Sequence, residues 1–344
     1  MLIINKLENF QSRFKLKNKK ILILTSQSII KKSIIKKLIR TLEIEDDVEV
    51  FPKILPGAYL EDLQKIFRLN IPQNIIGIGG GSVIDIAKAY SCLKLNSVKN
   101  LYIKKKINKI PLVVIPTVSG SGAESSKGSI LKKKNNKKIA YRSEHLVPNK
   151  VYLDLNLVKS APKKLRCECL FDCLSHAMET YLSKKSKVKS KKNSIKTIKS
   201  LLKINYKNID TIKNQKIISE SSYLMGINLK ISTTCLPHRI QYSLSEYTSM
   251  THAQSIIALY TGWLKVISET KEFKLLEKKI SIKFNLKNKI KMLKKKLKIN
   301  FSLRKIKLSK KEKEEIIKKT TGTLEMDPSF KSIDTIRQVI NLSS

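Results

Sequence analysis

The chain has 344 residues, 41% of them hydrophobic, which is enough apolar material for two packed domains and too much for a disordered chain. Basic residues outnumber acidic ones 70 to 27, a net charge of +43 that on its own points to nucleic acid or an anionic surface. The lysines run through every segment alongside isoleucine and asparagine, as AT-rich coding produces. No zinc-finger spacing, RNP-like strand or GXXG loop accompanies them, so drift explains the charge better than a specific nucleic-acid partner.

No apolar run reaches the eighteen or so residues of a membrane helix, and the start MLIINKLENF lacks the pattern of a secretory leader. The five cysteines are irregular, three of them bunched at Cys167, Cys169 and Cys173, with no CxxC pair. These features lead to the expectation of a cytoplasmic protein without membrane insertion.

In chain order, KKILILTS (19–26) reads as a buried strand and 29–44 as an amphipathic helix. A strand is expected over 48–53, a helix from Tyr59 to Phe67, a strand from Asn74 to Ile78 and a helix from Val83 to Tyr90. PLVVIPT (111–117) is a further buried strand, 131–145 an irregular or hairpin excursion, and VYLD (151–154) closes this half. Strands alternating with helices predict a mostly parallel sheet covered on both faces, with ligands gathering at the carboxyl ends of the strands. From about Pro162 the apolar period becomes helical, through 165–181, 194–205, 211–233, 235–246 and 252–266. The expected organisation is therefore an α/β domain over 1–160 and an all-helical domain over 161–344.

Two glycine clusters sit at expected strand ends. In the first, Gly77-Ile78-Gly79-Gly80-Gly81-Ser82 leads directly into a helix. Successive glycines let the backbone approach a ligand closely, Ser82 stands where a hydroxyl caps, and the helix start favours a phosphate or pyrophosphate. The run is neither GxGxxG nor a P-loop. In the second, Thr117, Ser119 and Ser121 interleave with Gly120 and Gly122 and offer hydroxyl and amide donors.

Three of the four histidines fall in the helical half: His176, His238 and His252. Asp172 and His176 are four apart in a helical stretch, so both side chains project from one face. Three imidazoles and a carboxylate would make an N₃O set for iron(II) or zinc. Spacing alone equally allows ordinary surface or capping histidines. His145 lies in the polar connector and receives no role.

Taken together these segments resemble the iron-containing (group III) alcohol dehydrogenase family, whose wider fold group includes glycerol dehydrogenase and dehydroquinate synthase. GIGGGSVIDIAK (77–88) is similar to the family's GGGSxxDxxK signature and IPTVSGSGAE (115–124) to its PTTxGTGSE motif. LVPNKVYLD (146–154) resembles the segment ending the cofactor domain, and LFDCLSHAMETY (170–181) the GxDAxxHxxExY helix. PHRIQY (237–242) and THA (251–253) stand where the family places its remaining histidine ligands. The likeness runs from about residue 15 to 265, and the C-terminal third is expected to match poorly.

The resemblance implies a dehydroquinate synthase-like fold and a metal-dependent oxidoreductase that interconverts an alcohol and an aldehyde or ketone with NAD or NADP. It implies Asp172, His176, His238 and His252 as ligands of Fe(II), alternatively Zn(II). Gly79, Gly80, Gly81 and Ser82, with Asp85 of the same signature, would serve the cofactor pyrophosphate. Thr117, Ser119 and Ser121 would line its adenine and nicotinamide sides, and Lys138 would lie near the ribose. A homo-oligomer is expected.

There are departures. Tyr242 replaces a histidine linked to proton relay and is assigned as the catalytic proton donor. Ala253 replaces a glycine, and Cys173 an alanine. Ser26 stands where NAD-preferring members carry an acid, which leaves NADP open. A lyase or cyclase acting like dehydroquinate synthase on a phosphorylated sugar acid is the alternative suggested by Tyr242 and the basic composition, with a nucleic-acid-binding protein as the third.

Overall fold

A computed structural model describes residues 1–10, 19–44, 46–102, 106–280 and 285–344. Its contacts divide the chain into two compact units, Met1–Ala161 and Pro162–Ser344.

In the first unit, strands β1 (Leu2–Ile4), β2 (Lys20–Thr25), β3 (Asp47–Phe51), β4 (Asn74–Gly79), β5 (Leu112–Pro116) and β8 (Lys150–Leu153) form one sheet in the order β1-β8-β5-β4-β2-β3. Every neighbouring pair is parallel. β2, β4 and β5 are near-continuous runs of isoleucine, leucine and valine because helices cover both faces and leave no wet side to alternate with. Helix α1 (Gln27–Ile30) follows β2. α2 (Ser33–Glu43) then buries Ile35, Leu38, Ile39 and Leu42, a helical i, i+3, i+4, i+7 stripe, against Ile21, Ile23, Ile76 and Ile78. Helix α3 (Leu60–Ile66) precedes β4, and α4 (Gly81–Leu93) packs on β4 and β5.

The chain runs outward from β2 to β3 and then returns to place β4 on the other side of β2. That reversal sets a crevice at the carboxyl ends of β2 and β4, where doubly wound sheets take their ligands. The excursion expected over 131–145 is an antiparallel hairpin, β6 (Gly128–Lys132) with β7 (Lys138–Arg142). The edge strand β1 was not foreseen from sequence. Three residues are too few for a periodic signal, and only pairing with β8 reveals it.

After the short α5 (Leu155–Lys159), every described regular element is helical. The second unit is built on α6 (Lys163–Leu182), which is buried along nearly its whole length from Arg166 to Leu182. Around it lie α7 (Val188–Leu201), α8 (Ile212–Ile231), α9 (Leu236–Leu244) and α10 (His252–Ile267). α11 (Lys271–Ile280), α12 (Leu286–Lys296), α13 (Lys310–Lys319) and α14 (Ile333–Ser343) complete the unit. The lysine-rich tail thus folds. Phe273, Leu276, Ile290, Leu293, Ile316 and Val339 enter the same core as α6, and most of the lysines of these helices are exposed.

α10 and α14 touch backbone to backbone at Gly262, where a Cβ would fall 2.1 Å from the Val339 carbonyl oxygen. Among the described residues, no helix is long and apolar enough to cross a membrane.

Candidate functional site

In the α/β unit the two glycine clusters meet. β4 and β5 are neighbours with Gly79 opposite Pro116, so the loops that leave them start side by side. Thr117 donates its amide to the Gly79 carbonyl at 3.0 Å. A Cβ on Gly81 would lie 3.2 Å from Ser121 Oγ, and one on Gly80 3.2 Å from Val118 Cγ2.

None of Gly77, Gly79, Gly80 or Gly81 has a positive φ. The glycines are required by space rather than by torsion. A Cβ on Gly79 would sit 2.5 Å from Val83 Cγ2, inside the first turn of α4. Thr117 and Ser119 are buried and Ser121 half-buried.

The expectation that Ser82 caps α4 is corrected. Gly80 is the capping position, and the Ser82 hydroxyl, two residues into the helix, accepts the Gly57 amide at 2.9 Å instead. It ties down a third loop, the one following β3.

Asp85 anchors the hairpin, accepting the Ile130 amide at 3.1 Å through its carboxylate and the Ser129 hydroxyl at 2.8 Å through its carbonyl. Burial pushes its carboxyl up to about 6, with Lys88, the Ile130 amide and Lys138 opposing the rise. Lys138, on β7 opposite Lys132, is thus close enough to act on Asp85 electrostatically.

Sequence reasoning overlooked Lys88, although it ends the quoted glycine signature. Fully buried, it donates to the Ala123 carbonyl at 2.8 Å, to Ser126 Oγ at 3.2 Å and to the Gly128 carbonyl, so the loop after β5 is clamped onto α4.

In the helical unit, Asp172 and His176 project from one face of α6, one turn apart. His238 lies in the first turn of α9, whose entry is set by Pro237. His252 opens α10, which starts with a Thr251–Gln254 capping box.

Three helices thus converge on one carboxylate oxygen. Asp172 Oδ1 lies 3.8 Å from His176 Nδ1, 3.7 Å from His238 Nε2 and 3.6 Å from His252 Nε2. One ligand atom each from Asp172, His176 and His238 falls within 4.8 Å of the others. These separations are too long for hydrogen bonds. They lie near the edge of a tetrahedron of ligand atoms around a metal with bonds of roughly 2.1 Å, which is about 3.4 Å. Asp172 Oδ1 and His238 Nε2 are buried without a hydrogen bond, an arrangement costing about 1–3 kcal/mol per atom unless another ligand satisfies them.

The side chains of Asp172, His176 and His238 are 4–6% exposed and that of His252 is 35% exposed, so the set opens on the His252 side. The donor atoms of Asp172, His176 and His238, two of them orphaned, fit a divalent iron or zinc ion, and His252 approaches the set through Asp172.

The local field also favours a cation. Burial resists a charge on His238, but Glu179 and Asp172 outweigh it and raise the imidazolium to about 9. Burial likewise opposes ionisation of Asp172, and the imidazoles of His176, His252 and His238 hold its carboxyl well below the usual range. An electronegative pocket in a chain of +43 does not follow from composition.

Tyr242, four residues after His238 on the same helix face, is half-buried, with the Arg239 guanidinium 6.0 Å from its ring centre. Asp327 was not anticipated from sequence and Glu179 was quoted only within a motif, yet both hold the start of α9. Glu179 accepts the Cys235 amide at 2.8 Å, and Asp327 accepts the Leu236 amide at 2.9 Å and Trp263 Nε1 at 2.8 Å.

Two family models match the chain: iron-containing alcohol dehydrogenase over residues 3–155, and the C-terminal domain of the Fe-containing alcohol dehydrogenase family over 168–341. The C-terminal third, expected to match poorly, therefore lies inside the family match.

Long-chain-alcohol dehydrogenase 1 of Geobacillus thermodenitrificans is 25% identical over 251 residues, 69% of this chain and 63% of that protein. The NAD-dependent methanol dehydrogenase of Bacillus methanolicus is 24% identical over 242 residues, 66% of this chain and 63% of its own length. The matched segment thus spans less than two thirds of these relatives. The crystal structure of an iron-containing alcohol dehydrogenase from Thermotoga maritima superposes with a TM-score of 0.85 at 24% identity, covering 99% of this chain and 97% of that one, a likeness of fold. The two family models together account for nearly the whole sequence, and the chain belongs to the iron-containing alcohol dehydrogenase family.

Proposed function

We propose that the protein is a metal-dependent oxidoreductase that interconverts an alcohol and an aldehyde or ketone by hydride transfer with NAD(H) or NADP(H). The observation that carries this reading is the convergence of His176, His238 and His252 on Asp172 Oδ1 at 3.6–3.8 Å.

In this reading those four residues hold Fe(II) or Zn(II), which when bound supplies Lewis-acid polarisation of the substrate oxygen. Asp172 contributes the negative charge, and the neutral imidazoles contribute nitrogen lone pairs. Gly79, Gly80, Gly81 and Ser82 present backbone amides to the pyrophosphate at the start of α4. Thr117, Ser119 and Ser121 line the cofactor, Asp85 supports the pyrophosphate loop by holding the β6–β7 hairpin to α4, Lys138 lies near the ribose, and Tyr242 carries the proton.

The hydride chemistry belongs to the nicotinamide, and the protein contributes orientation and charge. NAD is favoured by the named cofactor dependence of the B. methanolicus relative. Ser26, just beyond β2, places no carboxylate against a 2′-phosphate, so NADP belongs in the same assay. No disulfide joins any of the five cysteines, and a reducing compartment, the cytoplasm, is the proposed location. The homo-oligomer expected from the family is measured by light scattering.

Dehydrogenase chemistry recurs in the matched family and relatives, and the lyase alternative is not favoured. The test is a panel of aldehydes and ketones assayed with NADH and NADPH before and after chelation. Carbonyl-dependent oxidation of the reduced cofactor that disappears with chelator and returns with iron or zinc is expected. Full activity in protein shown to be metal-free would overturn the reading, as would phosphate release without net cofactor turnover.

A further inference from the structure

One face of α6 carries four ionisable side chains, Glu168, Asp172, His176 and Glu179, at helical spacing. The inner two belong to the metal set. The outer two reach the helices that bring the remaining ligands: Glu168 accepts from Gln254 Nε2 at 3.2 Å at the start of α10, and Glu179 meets the start of α9.

Glu179 is fully buried and surrounded by donors. His238 Nδ1 lies 2.9 Å from both carboxylate oxygens, the Cys235 amide 2.8 Å from Oε2, and the Tyr260 hydroxyl 3.2 Å from Oε1. A carboxylate only accepts, so this contact keeps a proton on Nδ1 and leaves Nε2 as the coordinating nitrogen. Nε2 is the atom 3.7 Å from Asp172 Oδ1.

We propose that Glu179 is a positioning residue for the metal site, fixing the tautomer and ring orientation of His238 and the entry of the helix that bears it. The inference rests on the metal reading above. It adds that the ligand set is organised by a buried carboxylate that never touches the metal.

The test compares wild type, Glu179→Gln and Glu179→Asp by cobalt(II) titration against a competing chelator, by the visible absorption of bound cobalt, and by circular dichroism of the metal-free proteins. Glu179→Gln is expected to lower cobalt affinity by about 10–100-fold and to shift the absorption bands, with native helical content retained. Glu179→Asp keeps the charge and is expected to recover part of the affinity. Unchanged affinity and spectrum in Glu179→Gln would overturn the proposal, as would a loss of helical structure with cobalt binding intact.

If Glu179→Gln does not fold, nitrogen-15 NMR of histidine-labelled wild type decides. A proton kept on His238 Nδ1, with the Nε2 resonance moving on metal addition, supports the proposal, and coordination through Nδ1 overturns it. Wild type that binds no metal would remove the functional reading as well. Normal metal binding by both wild type and Glu179→Gln would remove only the role of Glu179.

Discussion

The glycine loops and the metal set are built on opposite plans. The loops at the ends of β4 and β5 are short, contiguous stretches whose work is done by backbone and by missing side chains; Gly79 matters because Val83 already fills the place of its Cβ. The metal set draws one residue pair from α6 and one histidine each from α9 and α10, and its supports come from far along the chain, as when Asp327 holds the amide of Leu236. A backbone site is robust to the identity of its neighbours and fragile to any added atom. A side-chain site is fragile to the loss of any one polar group.

This contrast orders the expected effects. Asp172→Ala removes the oxygen on which all three imidazoles converge, so metal content should collapse and turnover fall by at least about 10³-fold, several kcal/mol of charge stabilisation, while cofactor binding persists. Metal analysis and dinucleotide titration of the variant separate the two.

Gly262→Ala drives a Cβ into the Val339 carbonyl and should destabilise the helical unit by about 3 kcal/mol in denaturant melts. Gly79→Ala meets Cγ2 of Val83 at 2.5 Å and its backbone-fixed Cβ at 2.6 Å, a stiff β-branched side chain, and should cost about 1–3 kcal/mol. It should also weaken dinucleotide binding with metal stoichiometry unchanged. Equal loss of metal in the Gly79 variant would break the contrast.

Asp85 supplies a pH-dependent check. Its carboxyl is raised from 3.8 to about 6 by burial, against Lys88, so ionisation costs more in the folded state than in the unfolded one. The contribution of Asp85 to stability should therefore be fully present below about pH 4 and decline as pH rises to about 6, by up to ~3 kcal/mol. Asp85→Asn should remove that decline, read from melting midpoints across pH 4–7. Glu168→Gln, at the edge of the α6 face, should have the smallest effect, costing about 1 kcal/mol and a few-fold in metal affinity.

The legible parts of the sequence were those governed by local periodicity or contiguous motif. β2, β4 and β5 announced themselves as apolar runs because both faces of the sheet are covered, and the 172–176 pair announced itself because one turn separates its members. What stayed hidden depends on tertiary contact. The edge strand β1 exists only through β8. The Ser82 hydroxyl turns to Gly57, which sequence distance conceals. Lys88 looked like one lysine among many until burial singled it out. Asp327 lies in a segment that carries no motif, and nothing local shows that its carboxylate reaches Leu236 and Trp263.

X-ray absorption at the iron edge, on protein reconstituted anaerobically with Fe(II), tests the metal assignment most directly. The account predicts about one iron per chain in a nitrogen- and oxygen-only first shell at roughly 2.0–2.2 Å, with the imidazole scattering of three histidines. Sulfur in that shell, which would implicate Cys173 or Cys235, or iron that washes out of the wild-type protein, would contradict it.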